Sequence, residues 1–270
     1  MVKLRAPLTA GTTLFAATLS LSSVALADKA TTAEEPPVVM TAPKGSLSIM
    51  AHLDVNLSKD AAFKPVSIAP DIWYGATEKL SVGLTHSALA TSGFWGGPGA
   101  GLCLTGEDNG CGNTLSNTGL QARYDLSSTM EGLAFEGGFI MRDFDPFVLG
   151  GKLGVVMTKD IGSLQLAIAP NFQFGLTERE AFNKEVLSIP VSLMYGLNDT
   201  VLVGGQTGIS LPFSDTGDTW RLPISLVGQA LLSEKYYVFG AFTLPAIAGG
   251  DLLATGIDSR ALTLGFGAAL

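Results

Sequence analysis

From Gly45 to the C-terminus, apolar and polar residues alternate along the chain in strand-length runs separated by short polar clusters. In the run 46–57, Leu47, Ile49, Ala51, Leu53, Val55 and Leu57 fall on one face. Ser48, Met50, His52, Asp54 and Asn56 fall on the other. Run 163–176 repeats this: Leu164, Leu166, Ile168, Pro170, Phe172, Phe174 and Leu176 alternate with Gln165, Ala167, Ala169, Asn171, Gln173 and Gly175. Successive side chains of a strand point to opposite faces, so period two with one apolar face predicts β-strands. Twelve such runs are read, at 46–57, 65–76, 80–90, 117–126, 132–143, 147–158, 163–176, 185–197, 200–211, 219–231, 236–246 and 259–270.

The stretch Trp73-Tyr-Gly-Ala-Thr-Glu-Lys-Leu-Ser-Val-Gly-Leu84 has the grammar of a tight antiparallel hairpin. It recurs at Met194–Gly205 and, shortened, at Ser233–Gly240. Connections alternate in length. Those at 77–79, 127–131, 159–162, 198–199 and 232–235 are short. Those at 91–116, 177–184, 212–218 and 247–258 are longer, while 58–64 and 144–146 are short connections on that same side. One set of short turns and one of long loops is expected of an even-numbered up-and-down barrel. Pro65, Pro70, Pro170, Pro190, Pro223 and Pro245 fall in or at the start of these runs. Proline cannot donate to a ladder, so bulges or kinks are expected there, giving a flared rim rather than a sideways opening.

Composition gives the sheet a setting. Only 15% of residues are charged, although no long apolar run follows the N-terminal region. A soluble domain carries about a quarter charged residues. Lys3 and Arg5, an apolar stretch from Leu14 to Leu26, and Ala25-Leu26-Ala27 form an export signal over residues 1–27. Residues 28–44, rich in Thr, Ala, Glu and Pro, read as a flexible leader with nothing to bury, and the barrel domain occupies 45–270. An exported, alternating, apolar chain fits an all-β transmembrane antiparallel barrel, because only a closed sheet pairs every amide in lipid. The net charge of −8 argues against nucleic acid as a partner.

These features resemble bacterial outer-membrane β-barrel, porin-like proteins. The resemblance rests on the Tyr-Gly-x-[Thr/Asn]-[Glu/Asp] hairpins and on the terminal run Arg260-Ala-Leu-Thr-Leu-Gly-Phe-Gly-Ala-Ala-Leu270. Leu262, Leu264, Phe266, Ala268 and Leu270 share one face of that run, although the family's last residue is aromatic. It implies a location in the bacterial outer membrane, with lipid and lipopolysaccharide around the wall. It also implies recognition of the last strand by the barrel-assembly machinery, passage of small solutes, and a monomer. No cofactor or metal is expected, since Glu107, Asp108 and Asn109 lack the spacing of a calcium loop.

With the apolar face toward lipid, the opposite face lines the lumen. Its ionisable candidates are His52, Asp54, Asp71, Arg123, Asp125, Glu136, Arg142, Lys152 and Arg221. Either they set a transverse field across a water-filled bore, or they pair with one another and lock a plugged barrel. The remaining inward residues, mostly small or amide-bearing, favour the open bore. Cys103 and Cys111, in one loop of an exported chain, are expected to form a disulfide. Phe94 and Trp95 in the same loop fit an outer aromatic girdle better than a tongue folding into the bore. An enzyme is not expected: His86-Ser87 are adjacent and His52 is followed by Leu53 and Asp54, so the His-x-Ser pattern of lipid-acting barrels is missing. The function expected is passive diffusion of small solutes through a narrow lumen. The alternatives are a non-conducting structural or surface-binding barrel and a lipid-acting one.

Overall fold

The computed structural model describes residues 41–59, 64–96, 100–111, 114–127, 130, 132–180, 183–214, 216–251 and 256–270. The export signal and most of the leader lie outside the described residues. Fifteen strand segments follow one another. They are β1 (Leu47–Asn56), β2 (Val66–Gly75), β3 (Leu80–Thr85), β4 (Gly101–Cys103), β5 (Leu115–Ser116), β6 (Thr118–Asp125), β7 (Leu133–Phe144) and β8 (Phe147–Ile161). Then come β9 (Leu164–Ile168), β10 (Asn171–Gly175), β11 (Val186–Gly196), β12 (Val201–Pro212), β13 (Arg221–Leu231), β14 (Tyr236–Gly249) and β15 (Ala261–Ala269). Two short helices are α1 (Ala88–Ser92) and α2 (Thr216–Thr219).

These segments build twelve antiparallel wall strands. β1 pairs with both β2 and β15, which closes the sheet on itself. β9 and β10 are two halves of one wall strand. Met157 faces Ile168 and Gly154 faces Asn171, so Pro170 interrupts the bonding and leaves the register intact. Pro190 likewise pairs in register with Gly208. At Pro223 and Pro245 the ladder does bulge: Ile224 faces Leu244 but Leu222 faces Ala248. The proline expectation therefore holds at one site and fails at Pro70, which pairs in register with Ala51, and at Pro170 and Pro190, whose carbonyls keep the ladder by accepting from Val155 and Ala169.

The outer surface is apolar. Leu120, Phe139, Leu153, Leu193, Leu226 and Leu264 are among many large side chains left exposed, as a wall against acyl chains requires. Tyr74, Tyr124, Tyr195 and Tyr236 are all outward and 41–47% exposed, and each stands at the short-turn end of its strand. Phe144, Phe147 and Phe213 are exposed at the opposite end. These are two aromatic belts at the heights where amphipathic rings meet headgroups.

Two features depart from the sequence reading. The end of the leader is packed: Thr41 and Ala42 are buried, and the Ala42 amide donates to Ser81 Oγ at 2.8 Å. Gly75 accommodates this, since a β-carbon there would lie 1.9 Å from the Pro43 carbonyl oxygen. The second departure concerns the third wall strand, read at 80–90. β3 stops at Thr85. Ile72 faces Leu84, so an unbroken strand would set residue 88 against Ile68; Leu102 stands there instead. The register of β4 against β2 is offset by fourteen residues from that of β3, and β4 completes the strand above the gap.

The outward face generates a prediction. Leu226 is 67% exposed near the middle of β13. Leu226→Arg should lower the stability of the refolded barrel in phosphatidylcholine vesicles by about 2–4 kcal/mol, measured by urea titration.

Candidate functional site

The diverted segment has its own local grammar. Ser87 caps α1, its hydroxyl accepting from Ala90 N at 3.0 Å. Gly93 ends the helix in the left-handed region at φ 85°, its amide bonding the Leu89 carbonyl. The Ser-Ala-Leu-Ala-Thr-Ser-Gly run thus carries helix start and stop signals inside a stretch read above as the end of the third wall strand.

The segment leaves the wall beside Asp71 of β2. Asp71 accepts from the His86 amide (2.7 Å), the Ser87 amide (3.0 Å) and the Ser87 hydroxyl (2.5 Å). His86 Nδ1 donates to the Pro70 carbonyl at 2.5 Å. The chain then crosses the lumen along the inner wall, held by one polar side chain after another. Gln121 of β6 and Lys152 of β8 both donate to the Ala90 carbonyl, at 3.2 and 2.6 Å. Asn171 of β10 donates to the Ser92 carbonyl at 3.0 Å. Gln206 of β12 donates to the Gly93 carbonyl and accepts from the Trp95 amide, each at 3.0 Å. A β-carbon on Gly96 would lie 2.8 Å from Cβ of Thr243 on β14.

Phe94 and Trp95 are therefore buried inside the barrel, which overturns the girdle reading. Trp95 packs on Phe239 and His52, with ring centroids 5.5 and 6.0 Å apart. Trp95 and Phe239, with Met50, Leu89, Val156, Met194, Val227 and Tyr237, form an apolar cluster within the lumen. The expectation that small residues leave the bore open fails here. Large inward side chains fill it instead: Met50 on β1, Met194 on β11, and Tyr237 and Phe239 on β14, each among small or polar neighbours on its face. Glycines receive them: Phe239 lies over Gly265 and Tyr237 over Gly267.

Six of the nine candidate lumen residues fall into two groups, and Asp125, Arg142 and Arg221 stand apart. On β6–β8, Arg123 Nη2 donates to Glu136 at 2.9 Å and Lys152 Nζ lies 2.6 Å from its other oxygen. The Arg123 guanidinium stacks 5.1 Å from the centre of the Trp73 ring. Beneath α1 these groups enclose a cavity of about 10 Å³, room for the centre of about one water, lined also by Gln121, Asn171 and Leu89. On β1 and β2, His52 Nε2 is 3.5 Å from Asp71, and Asp54 accepts from the Thr263 hydroxyl. Asp71 stands between Ser87 and His52, so the imidazole is not placed to take the Ser87 proton as it is in a nucleophile–base pair. Asp125 is buried and accepts from the Ser127 amide, Arg142 is half-buried and donates to Gln173 at 2.8 Å, and Arg221 is exposed at the rim. The amide anchors Gln121, Asn171 and Gln206 were missed. An uncharged amide on a polar face looks the same whether it holds backbone or meets water.

Cys103 and Cys111 are disulfide-bonded, Cα to Cα 6.1 Å, directly above the point where the diverted segment rejoins the wall as β4.

Anchoring by Gln206 is testable. Gln206→Ala leaves the Trp95 amide and the Gly93 carbonyl without their partner, at about 1–3 kcal/mol for each buried group. Amide exchange over residues 87–96 should accelerate, with the wall strands unchanged.

The chain matches no protein-family model and no curated protein by sequence. In structure it is similar to a NanC porin, at TM-score 0.55 and 8% identity, over 82% of this chain and all of that one. It is also similar to an outer-membrane channel of Pseudomonas putida F1, at TM-score 0.52 and 10% identity, over 88% of this chain and all of that one. The protein has the closed β-barrel fold found in outer-membrane porins and channels.

Proposed function

We propose that the protein is a bacterial outer-membrane channel that passes small solutes through a narrow lumen, with residues 86–96 setting its width. The observation that carries this reading is the diverted segment itself. A wall strand gives up its continuity to place a polar-anchored partition at mid-height, which a barrel needing only to be stable has no reason to do. The fold of known channels supports the same reading. Short turns then face the periplasm and long loops the outside. The export signal at 1–27 brings the chain there, and the last strand presents itself to the assembly machinery. Lipid and lipopolysaccharide cover the apolar belt, around a monomer.

The apolar cluster around Trp95 and Phe239 favours a second reading, a barrel that does not conduct. Planar-bilayer recording separates the two. Deleting residues 88–101 joins Ser87 to Leu102, which already occupies the register position of residue 88. The wall strand is then continuous and the lumen is relieved of Leu89 and Trp95, leaving the wall's own side chains. The channel reading expects stepwise current from the full chain and larger steps from the deletion variant. Silence from the full chain with current from the deletion variant would establish the plugged barrel instead.

A further inference from the structure

We propose that the donors beneath α1 form a binding site for a small carboxylate solute, which takes the place of the Ala90 carbonyl on Lys152. The proposal rests on the channel reading only for the route by which the solute arrives.

Four inward side chains, Gln121, Lys152, Asn171 and Gln206, point donors at main-chain carbonyls of the diverted segment. These carbonyls occupy positions that suit any oxygen acceptor. Lys152 is the one formal cation among the four. Its ammonium sits 2.6 Å from both Glu136 and the Ala90 carbonyl. A carboxylate adds charge–charge attraction to the hydrogen bond that an ammonium makes with a neutral oxygen. A solute carboxylate is thus the better partner for the position Ala90 holds.

The rest of the cluster allows the exchange. Glu136 does not depend on Lys152 alone, because Arg123 bonds its second oxygen. α1 is a single turn of five residues, so releasing Ala90 disturbs little regular structure. The cavity already adjoins Lys152, Gln121 and Asn171. Trp73 lines it too, and its indole N–H is buried without a hydrogen-bond partner. That orphaned donor offers a second contact to an entering oxygen. A cation would meet the Arg123 guanidinium and the Lys152 ammonium, whose charges outnumber that of Glu136, and a neutral amide would bring no charge to the ammonium.

Tryptophan fluorescence reads the site, since Trp73 lines it. The full chain in detergent is titrated with potassium acetate, against acetamide and potassium chloride, at constant ionic strength. A saturable change with acetate, absent with acetamide, is expected. Lys152→Gln keeps a donor toward Ala90 and should weaken acetate binding about tenfold or more. Lys152→Arg should retain it. Equal responses to acetate and acetamide, or an unchanged acetate midpoint in Lys152→Gln, would overturn the site. Should Lys152→Gln fail to fold, the acetate–acetamide contrast on the unaltered chain decides alone. Bilayer current from the same preparation keeps the two ideas apart. Current without acetate saturation refutes the site and leaves the channel; saturation without current does the reverse.

Discussion

Backbone hydrogen bonding in lipid governs this molecule. Acyl chains offer no partner to an amide or a carbonyl, so a sheet in the membrane must close. The pairing of β1 with both β2 and β15 achieves that. The diversion at Thr85 is then a local exception that has to be repaired. The repair is visible in Asp71, which takes the amides of His86 and Ser87, and in His86, whose ring takes the Pro70 carbonyl. Pro70 brings no N–H of its own to the gap. Side chains supply at the break what a neighbouring strand supplies elsewhere.

The same economy explains the interior. Buried charges are tolerated when paired and fully bonded, and removing one partner costs about 3–5 kcal/mol. Glu136 sits between Arg123 and Lys152, and Lys152 also anchors α1. Asp71 anchors the start of the same segment. Polar residues that a simple pore would present to water are here committed to holding a partition. The aromatic cluster of Trp95, Phe239 and His52 packs behind that partition.

Much of the wall was legible in the sequence. Period-two alternation marks outward Leu226 and Leu264 as clearly as inward Gln229 and Thr263, and the Tyr-Gly turns place Tyr74 and Tyr195 at one rim. The disulfide was legible because two cysteines in one loop leave a single pairing. The partition was not. His86 and Leu89 fall on the wrong faces for a continued β3, and Ser87 and Gly93 mark a helix, yet none of these says that the chain turns inward. Only long-range register, Leu102 rather than residue 88 against Ile68, reveals it. The roles of Gln121, Asn171 and Gln206 were hidden for the same reason, since their partners lie 31, 79 and 113 residues away.

Disulfide trapping across the lumen tests this architecture most directly. Gly96 belongs to the diverted segment and Thr243 to the far wall, and a β-carbon on Gly96 would come within 2.8 Å of Cβ of Thr243, so that a parting of about 1 Å brings the pair to the span of a disulfide. In the double variant Gly96→Cys/Thr243→Cys, mild oxidation in vesicles should link the two positions, found as one joined peptide by mass spectrometry. Two separate peptides, each with a free thiol open to a water-soluble maleimide, would show that the segment lies outside the barrel.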